Sequence, residues 1–326
     1  MTRAVPTESV RAIRPIAGPA DSTLGGLFAT VYEASKPRIV RLVTITSGVG
    51  FAMAAVLRKW DASELGVAAG SALLGTALSA AGANALNQWM ERERDAKMPR
   101  TCARPMPQQR LSPANALVAG VLLAVAGVGL LLAGCGVVPA AVSLATVLIY
   151  LLVYTPLKPV TPHATLVGAV PGALPPMIGW SAAAGGSDPS TLLELIPLSL
   201  FAIMFVWQIP HFLAIAWMYK EDYAAGGYKV LPVLDPEGHR TARSILMWSV
   251  LLAPTTVLPA LAMQGPAAWT YGLFAAVSGA AFIKLGTRFY ATRQRVDARR
   301  AFIASVIHLP MVLVFLVACQ VVSRVL

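Results

Sequence analysis

The sequence predicts an all-α polytopic membrane protein: nine transmembrane helices in one bundle, with the N-terminus on the cytoplasmic side. Three observations carry this. First, 56% of the 326 residues are hydrophobic and only 13% are charged, where soluble domains carry about 25% charged residues. Second, nine apolar runs approach or exceed the roughly 20 residues a helix needs to cross a bilayer. Third, the Lys and Arg residues alternate. Of the 26, all but three fall in the N-terminal arm, the loops after runs 2, 4, 6 and 8, and the helix ends that adjoin them. Positive charge accumulates on the cytoplasmic side, so the N-terminus lies inside. With an odd number of spans the C-terminus lies outside.

In chain order, residues 1–34 read as a polar, flexible arm without the apolar core of a signal peptide. The arm's Glu8, Asp21 and many Pro and Gly argue against an organelle transit peptide. The rest, 35–326, is one domain. Its runs are 39–57, 65–87, 114–134, 137–154, 164–184, 195–217, 242–262, 267–285 and 302–322. "SKPRIV" (35–40) starts the first helix, with Ser35 available as N-cap and Pro37 in the first turn. "GAVPGALPPMIGW" (168–180) is dense enough in Gly and Pro to distort the fifth helix and allow close backbone approach. Pro210 lies inside the sixth and removes one helical hydrogen bond.

The net charge of +11 would suggest nucleic acid in a soluble protein. Here the basic residues sit in the inner loops, so no nucleic-acid partner is expected. Cys102, Cys135 and Cys319 are far apart and form neither a disulfide framework nor a zinc pattern.

The densest charge follows run 2: "NALNQWMERERDAKMPRTCARP" (84–105). From Leu65 to Leu86 the helix already covers about 33 Å at 1.5 Å per residue. The next residues therefore continue as helix at the inner surface, and Pro99 predicts an end near Lys97. Asn87, Glu91 and Asp95 are spaced i, i+4, i+8 and share one face. An amide and two carboxylates suit a hard cation such as Mg²⁺, which needs only one or two carboxylates when a substrate phosphate completes the shell. Lys97, Arg100 and Arg104 follow, and Arg matches phosphate oxygens bidentately. The alternative is a wet helix end whose charges pair in the headgroups.

Other segments converge on the same side. "WQIPHFLAIAWMYKEDYAAGGYKVLP" (207–232) supplies Lys220, Asp222 as the better acid beside Glu221, and the flexible Gly226-Gly227. Within its helix, Gln208 and His211 are polar residues expected to face the bundle interior. His211 is open between a satisfied interior histidine and an acid/base or haem-contacting group. "YTPLKP" (154–159) places Lys158 at the inner end of the fourth helix, and Lys36 and Arg38 stand at the start of the first. Each could be an inner-face anchor or a diphosphate ligand.

Together "NQWMERERDAKMPRTCARPMP", "YTPLKP", "GALPPMIGW" and "WQIPHFLAIAWMYKEDYAAGGYKVLP" resemble the protohaem farnesyltransferase (haem O synthase) family of UbiA-type intramembrane prenyltransferases. The resemblance runs from about Ser35 to the last span. It implies transfer of a farnesyl group from farnesyl diphosphate to a vinyl group of haem B, giving haem O, with Mg²⁺ as cofactor. It implies a bacterial inner-membrane protein with its active-site loops on the cytoplasmic side. Partners would be haem A synthase or terminal-oxidase assembly proteins. Asn87, Glu91, Asp95 and Asp222 match the metal–diphosphate motifs, and Arg100 and Arg104 match the RTxxRP segment. Lys97, Lys158, Lys220, Lys36 and Arg38 are further diphosphate candidates, and His211 and Gln208 are haem-side candidates. The chain departs from the wider group at Glu91, usually Asp, at Gln88, also usually Asp, and at Met218, where a second-motif Asp would stand. These departures favour haem over a quinone precursor or chlorophyllide as acceptor. A non-enzymatic haem transporter or assembly factor is the other alternative.

Overall fold

A computed structural model describes residues 23–325. Among the described residues nine helical stretches are long and apolar enough to span a membrane, and no strand occurs. The helices are α1 (Leu24–Ala34), α2 (Pro37–Ala55), α3 (Ala62–Asp95), α4 (Pro113–Cys135), α5 (Val137–Leu148), α6 (Thr155–Leu157), α7 (Ala164–Ala173), α8 (Pro175–Ala183), α9 (Leu195–Met218), α10 (Lys220–Ala225), α11 (His239–Val257), α12 (Gly265–Thr292) and α13 (Arg295–Val325). The fourth span is α5, a π-helical segment Ile149–Tyr154, and α6 in continuous succession. The fifth is α7 and α8, broken at Leu174 ahead of Pro175 and Pro176. The break is the distortion the Gly/Pro density predicts.

Several helices outrun their apolar cores. α3 has 34 residues, α12 has 28 and α13 has 31. The extra turns carry the charged sequence, as expected for helices that continue past the hydrocarbon. α3 ends at Asp95, two residues before the predicted stop, and after one last helical bond from Ala96 two tighter turns carry the chain to Met98 ahead of Pro99. The N-terminal arm also holds structure that its polarity did not suggest. Thr23 caps α1 by accepting from the Gly26 N–H. Leu27, Val31 and Ala34 on α1 pack against Met106, Leu111 and Ala116. The Arg110 guanidinium donates to both Glu33 carboxylate oxygens at 2.8 Å. Leu24, Phe28 and Tyr32 stay exposed on the opposite face, in the manner of a helix lying in the membrane interface.

The bundle interior is built around α8 and α9, which are the most buried spans. α2 crosses α8 at backbone distance. A Cβ on Gly50 would meet the Pro176 carbonyl, and one on Gly179 would meet the Ser47 carbonyl. Small residues are what permit such contact between helices in lipid. We expect Gly179→Val to reduce recovery of folded protein from membranes and lower its Tm by several degrees, because neither backbone can yield and overpacking costs about 1–3 kcal/mol or more. A thermal-unfolding curve in detergent matching that of the parent chain would count against this account of the crossing.

Candidate active site

At the charged end of the bundle, α2, α3, the π segment, α7, α9 and the 219–230 loop enclose a cavity of about 330 Å³. Its apolar wall includes Ile39 and Val43 from α2, Ala80 and Ala83 from α3, Val147 from α5 and Ile178 from α8. Toward the membrane interior the polar side chains satisfy one another: Ser143 donates to Ser79 at 2.9 Å, and Ser47 and Thr76 lie 3.2 Å apart. Apolar walls with such paired hydroxyls suit a hydrocarbon chain.

The charged residues gather at the mouth: Glu91 and Asp95 line the cavity, while Asn87 lies behind it, fully buried, and meets it through the lining residue Lys36. Asn87, Glu91 and Asp95 lie on one face of α3 and are all buried, as their spacing predicts. Each is met by a cation from another segment. Lys36 donates to the Asn87 amide oxygen at 2.7 Å, Lys158 to a Glu91 carboxylate oxygen at 2.8 Å, and Arg104 to an Asp95 carboxylate oxygen at 2.7 Å. The Asn87 amide nitrogen donates to the Thr155 hydroxyl at 3.0 Å. Thr101 Oγ1 donates to the Asp95 carbonyl at 2.9 Å, holding the start of the arginine loop under the helix end. The Tyr228 hydroxyl also reaches the Glu91 carboxylate.

Electrostatics follow from this packing. Burial alone would discharge the Lys158 ammonium. Burial is the largest single influence on it, but the Glu91 carboxylate, helped by Tyr154, Tyr150 and Tyr228, outweighs burial and holds the Lys158 pKa well above the usual lysine value. Lys36 lacks an anionic partner in direct contact. Burial, with the Arg104 charge, pulls its pKa down to about 7. Burial pushes Tyr228 up, with the Glu91 charge adding to it, so that Tyr228 stays a protonated donor. Lys158 and Arg104 balance the two carboxylates, and Lys36, whose charged form an arriving anion would stabilise, makes the mouth favour an added anion.

The second acidic loop closes over the arginine loop. The Asp222 carboxylate accepts from the Arg100 backbone N–H at 3.3 Å. The Arg100 guanidinium sits over Tyr219 and Tyr223, 5.4 and 5.2 Å from the ring centroids. Arg94 donates to the Gly226 and Gly227 carbonyls at 3.2 and 3.4 Å. Asp222 is thus placed to fix Arg100 and the loop, while the three oxygen-bearing residues of α3 stand together.

Not every sequence candidate joins the cluster. Arg38 and Lys97 point to the exposed surface. Lys220 lies over the Trp217 ring at 4.8 Å and is not among the cavity-lining residues. Gln208 lines the cavity but its amide nitrogen is committed to the Ala169 and Met204 carbonyls, both at 2.9 Å. His211 is turned away from the cavity. Its Nδ1 lies 2.7 Å from Ser305 Oγ on α13, and its ring stacks on Trp207 with centroids 4.7 Å apart. The structure therefore places His211 in the α9–α13 contact rather than beside Glu91 and Asp95.

Sequence reasoning missed Tyr150, Tyr154, Tyr228 and Thr155. The Lys158 ammonium lies 4.8 Å from the Tyr154 ring centroid and 5.5 Å from that of Tyr228, so these π faces already accept positive charge. Gly168 makes room for Tyr154, since a Cβ there would come 2.5 Å from the ring edge. The signal for Tyr154 and Thr155 was present in "YTPLKP", next to the lysine that attracted attention.

The donor set fits a divalent cation only in company. Among the described residues no three His, Cys, Asp or Glu side chains cluster as a self-sufficient metal site. Glu91 and Asp95, with the Asn87 amide oxygen, supply hard oxygen donors on one face. A Mg²⁺ there would complete its shell with water and substrate phosphate oxygens, as this ion usually does.

This bundle and this mouth define a class of membrane protein. The chain belongs to the UbiA prenyltransferase family, whose pattern matches residues 42–311. Over 288 residues it is 41% identical to the protoheme IX farnesyltransferase of Solibacter usitatus, covering 86% of this chain and 94% of that one. It is 40% identical to the protoheme IX farnesyltransferase of Opitutus terrae, covering 88% and 92%. It is also 35% identical to the human mitochondrial protoheme IX farnesyltransferase, covering 88% of this chain and 61% of that one. Among solved structures, the fold matches a digeranylgeranylglyceryl phosphate synthase with a TM-score of 0.71 at 15% identity, covering 90% of this chain and 99% of that one. It matches a UbiA homologue from Archaeoglobus fulgidus bound to GPP and Mg²⁺ with a TM-score of 0.63 at 16% identity, covering 89% and 99%.

Proposed function

We propose that this protein transfers the farnesyl group of farnesyl diphosphate to a vinyl group of haem B, giving haem O and diphosphate. The observation that carries the reading is the mouth of the cavity. Two buried carboxylates, each held by a cation, line an apolar cavity of the kind a prenyl chain needs, and the amide of Asn87 stands behind them, bonded to the lining residue Lys36. The identity with protoheme IX farnesyltransferases supports haem B as the acceptor.

Lys36, Lys158, Arg104 and Arg100 bind and orient the diphosphate and take up the charge it gains as the C–O bond breaks. Glu91, Asp95 and the Asn87 oxygen would hold Mg²⁺, which would supply Lewis-acid stabilisation of the departing diphosphate. The electron pair of the C–O bond leaves with the diphosphate. The allylic cation stays in the apolar cavity, where water is excluded, near the π faces of Tyr150 and Tyr154. The vinyl π electrons form the new C–C bond, water adds to the resulting haem-side cation, and one proton is released to solvent. The net reaction consumes haem B, farnesyl diphosphate and water.

The Lys and Arg distribution supports an active site on the cytoplasmic face of a bacterial inner membrane. Incubating membranes that contain the chain with haem B, farnesyl diphosphate and Mg²⁺ tests the function directly. Mass spectrometry should show haem O. Prenylation of a quinone precursor or chlorophyllide instead, or haem binding without diphosphate release, would replace this reading.

Arg100 offers a milder test. Its guanidinium lines the cavity from a loop rather than from a helix. Arg100→Ala should raise the KM for farnesyl diphosphate about tenfold, with kcat changed less, because a charge-assisted hydrogen bond is worth about 1.5–3 kcal/mol. An unchanged dependence on farnesyl diphosphate concentration would remove Arg100 from the diphosphate site.

A further inference from the structure

We propose that Thr155 is a positioning residue that fixes which way the Asn87 side-chain amide points, so that its oxygen, not its nitrogen, faces the metal–diphosphate position. The inference rests on the reading of that position given above. It follows from an unbroken chain of donors and acceptors.

Asn87 is fully buried, so its amide finds its partners inside the protein. On one side stands the Lys36 ammonium, 2.7 Å away. The Lys36 nitrogen carries N–H donors whether or not it is protonated, and it donates to the Asn87 oxygen. On the other side stands Thr155 Oγ1, 3.0 Å away. A hydroxyl has a single proton, and that of Thr155 is given to the Tyr150 carbonyl at 2.8 Å. Towards Asn87 the hydroxyl can only accept, so the amide presents its nitrogen. Both sides demand the same orientation. When a metal and diphosphate draw Lys36 away from the amide, Thr155 is the partner that still enforces it.

Thr155 can do this because of local backbone geometry. A threonine in a regular α-helix commonly bonds back to the carbonyl four residues earlier or three. Here the preceding stretch, Ile149–Tyr154, is π-helical, and both the Thr155 N–H and its hydroxyl reach the Tyr150 carbonyl five residues back. Pro156 follows. It has no N–H to give the Leu152 carbonyl, and its ring crowds that carbonyl. The wide turn relieves the clash and rotates Tyr150, Tyr154 and Thr155 toward α3. Such π segments often mark functional sites.

Thr155→Val keeps the shape and removes the hydroxyl, and Thr155→Ser keeps the hydroxyl. The full-length protein in detergent is titrated with Mn²⁺ in the presence of inorganic pyrophosphate, and bound metal is read by electron paramagnetic resonance. The Mg²⁺ concentration for half-maximal activity and the farnesyl diphosphate KM are measured in parallel. Thr155→Val should weaken Mn²⁺ binding about tenfold and raise both kinetic constants by a similar factor. Thr155→Ser should stay within about twofold of the parent, on the scale of one net hydrogen bond. In an Asn87→Asp background both faces of the group are oxygen, so Thr155→Val should change Mn²⁺ binding little further. If Thr155→Val is recovered unfolded, Thr155→Ala takes its place in every comparison.

Three results overturn the proposal. One is parent-like Mn²⁺ binding by Thr155→Val. Another is a loss that Thr155→Ser does not rescue. The third is an equal loss in the Asn87→Asp background, which would mark Thr155 as merely structural. Failure of the parent chain itself to bind Mn²⁺ with pyrophosphate would instead sink the metal–diphosphate reading, and with it the present one.

Discussion

Asp95→Asn and Glu91→Gln should each lower haem O formation at least a hundredfold while the protein remains folded in the membrane. Among the described residues, these two are the carboxylates of α3 that share a face with Asn87 and line the cavity. Each substitution keeps the shape and removes one charge. The loss falls on stabilisation of the developing diphosphate charge, where a single well-placed group typically contributes 10²–10³-fold. Their local partners differ. Asp95→Asn releases Arg104 from its 2.7 Å bond, and Glu91→Gln releases Lys158 from its 2.8 Å bond. Both freed cations remain at the cavity mouth, partly exposed, so neither change buries an unpaired charge in lipid. Haem O extracted from membranes and quantified by chromatography gives the comparison, with detergent thermal unfolding as the folding control. Normal turnover by both variants would falsify the assignment of α3 as the metal-bearing helix.

Lys158→Met should be almost as damaging, through a different route. Lys158 is held charged by Glu91 well above the ordinary lysine range. Because its folded-state pKa is raised, its contribution is fully present below the unfolded value of about 10.4 and is lost only above the folded one. Its effect should therefore not vary between pH 6 and 9. In the proposed reading the substitution removes a diphosphate ligand, and it takes from Glu91 its cationic partner. We expect kcat/KM for farnesyl diphosphate to fall about a hundredfold or more. Adding Glu91→Gln to Lys158→Met should cost far less than it does alone, since the pair acts as a unit. Additive losses in that double-mutant cycle would show that the 2.8 Å bond has no functional weight.

The pairing pattern suggests why the site keeps so many charges without substrate. Arg104 and Lys158 neutralise the carboxylates that a metal would otherwise face. In the proposed reading, Glu91 and Asp95 would hold the metal while Arg104 and Lys158 would take the phosphate oxygens. The change is an exchange of partners within one mouth, and no charge need be left bare at any point. Lys36, with a pKa pulled to about 7 by burial and by Arg104, is the cation with the most to gain from an arriving anion.

How much of this was legible beforehand follows from the range of the forces involved. The nine spans follow from length and hydropathy, which are local, and the common face of Asn87, Glu91 and Asp95 follows from the helical period. The break in the fifth span follows from Pro175 and Pro176. The α1 helix did not show, because its 11 apolar-rich residues fall well short of a span and follow a polar stretch. His211 shows the opposite limit. α9 is apolar nearly all round, so no polar stripe reports its rotation, and only packing against α13 settles which way His211 points.

The sequence by itself determined the number of spans, the charged end of the bundle and the common face of the three oxygen-bearing residues of α3, because each is written in residues fewer than ten apart or in runs of a single chemistry. The tertiary structure decided which cation meets which ligand. Lys36 reaches Asn87 across 51 residues, Lys158 reaches Glu91 across 67, and Thr155 reaches Asn87 across 68. Any basic residue of the inner loops could have filled those places by charge alone. Which ones do depends on helix rotation, on the π turn ahead of Pro156 and on the close crossing of α2 and α8, and these are set by packing between segments far apart in the chain.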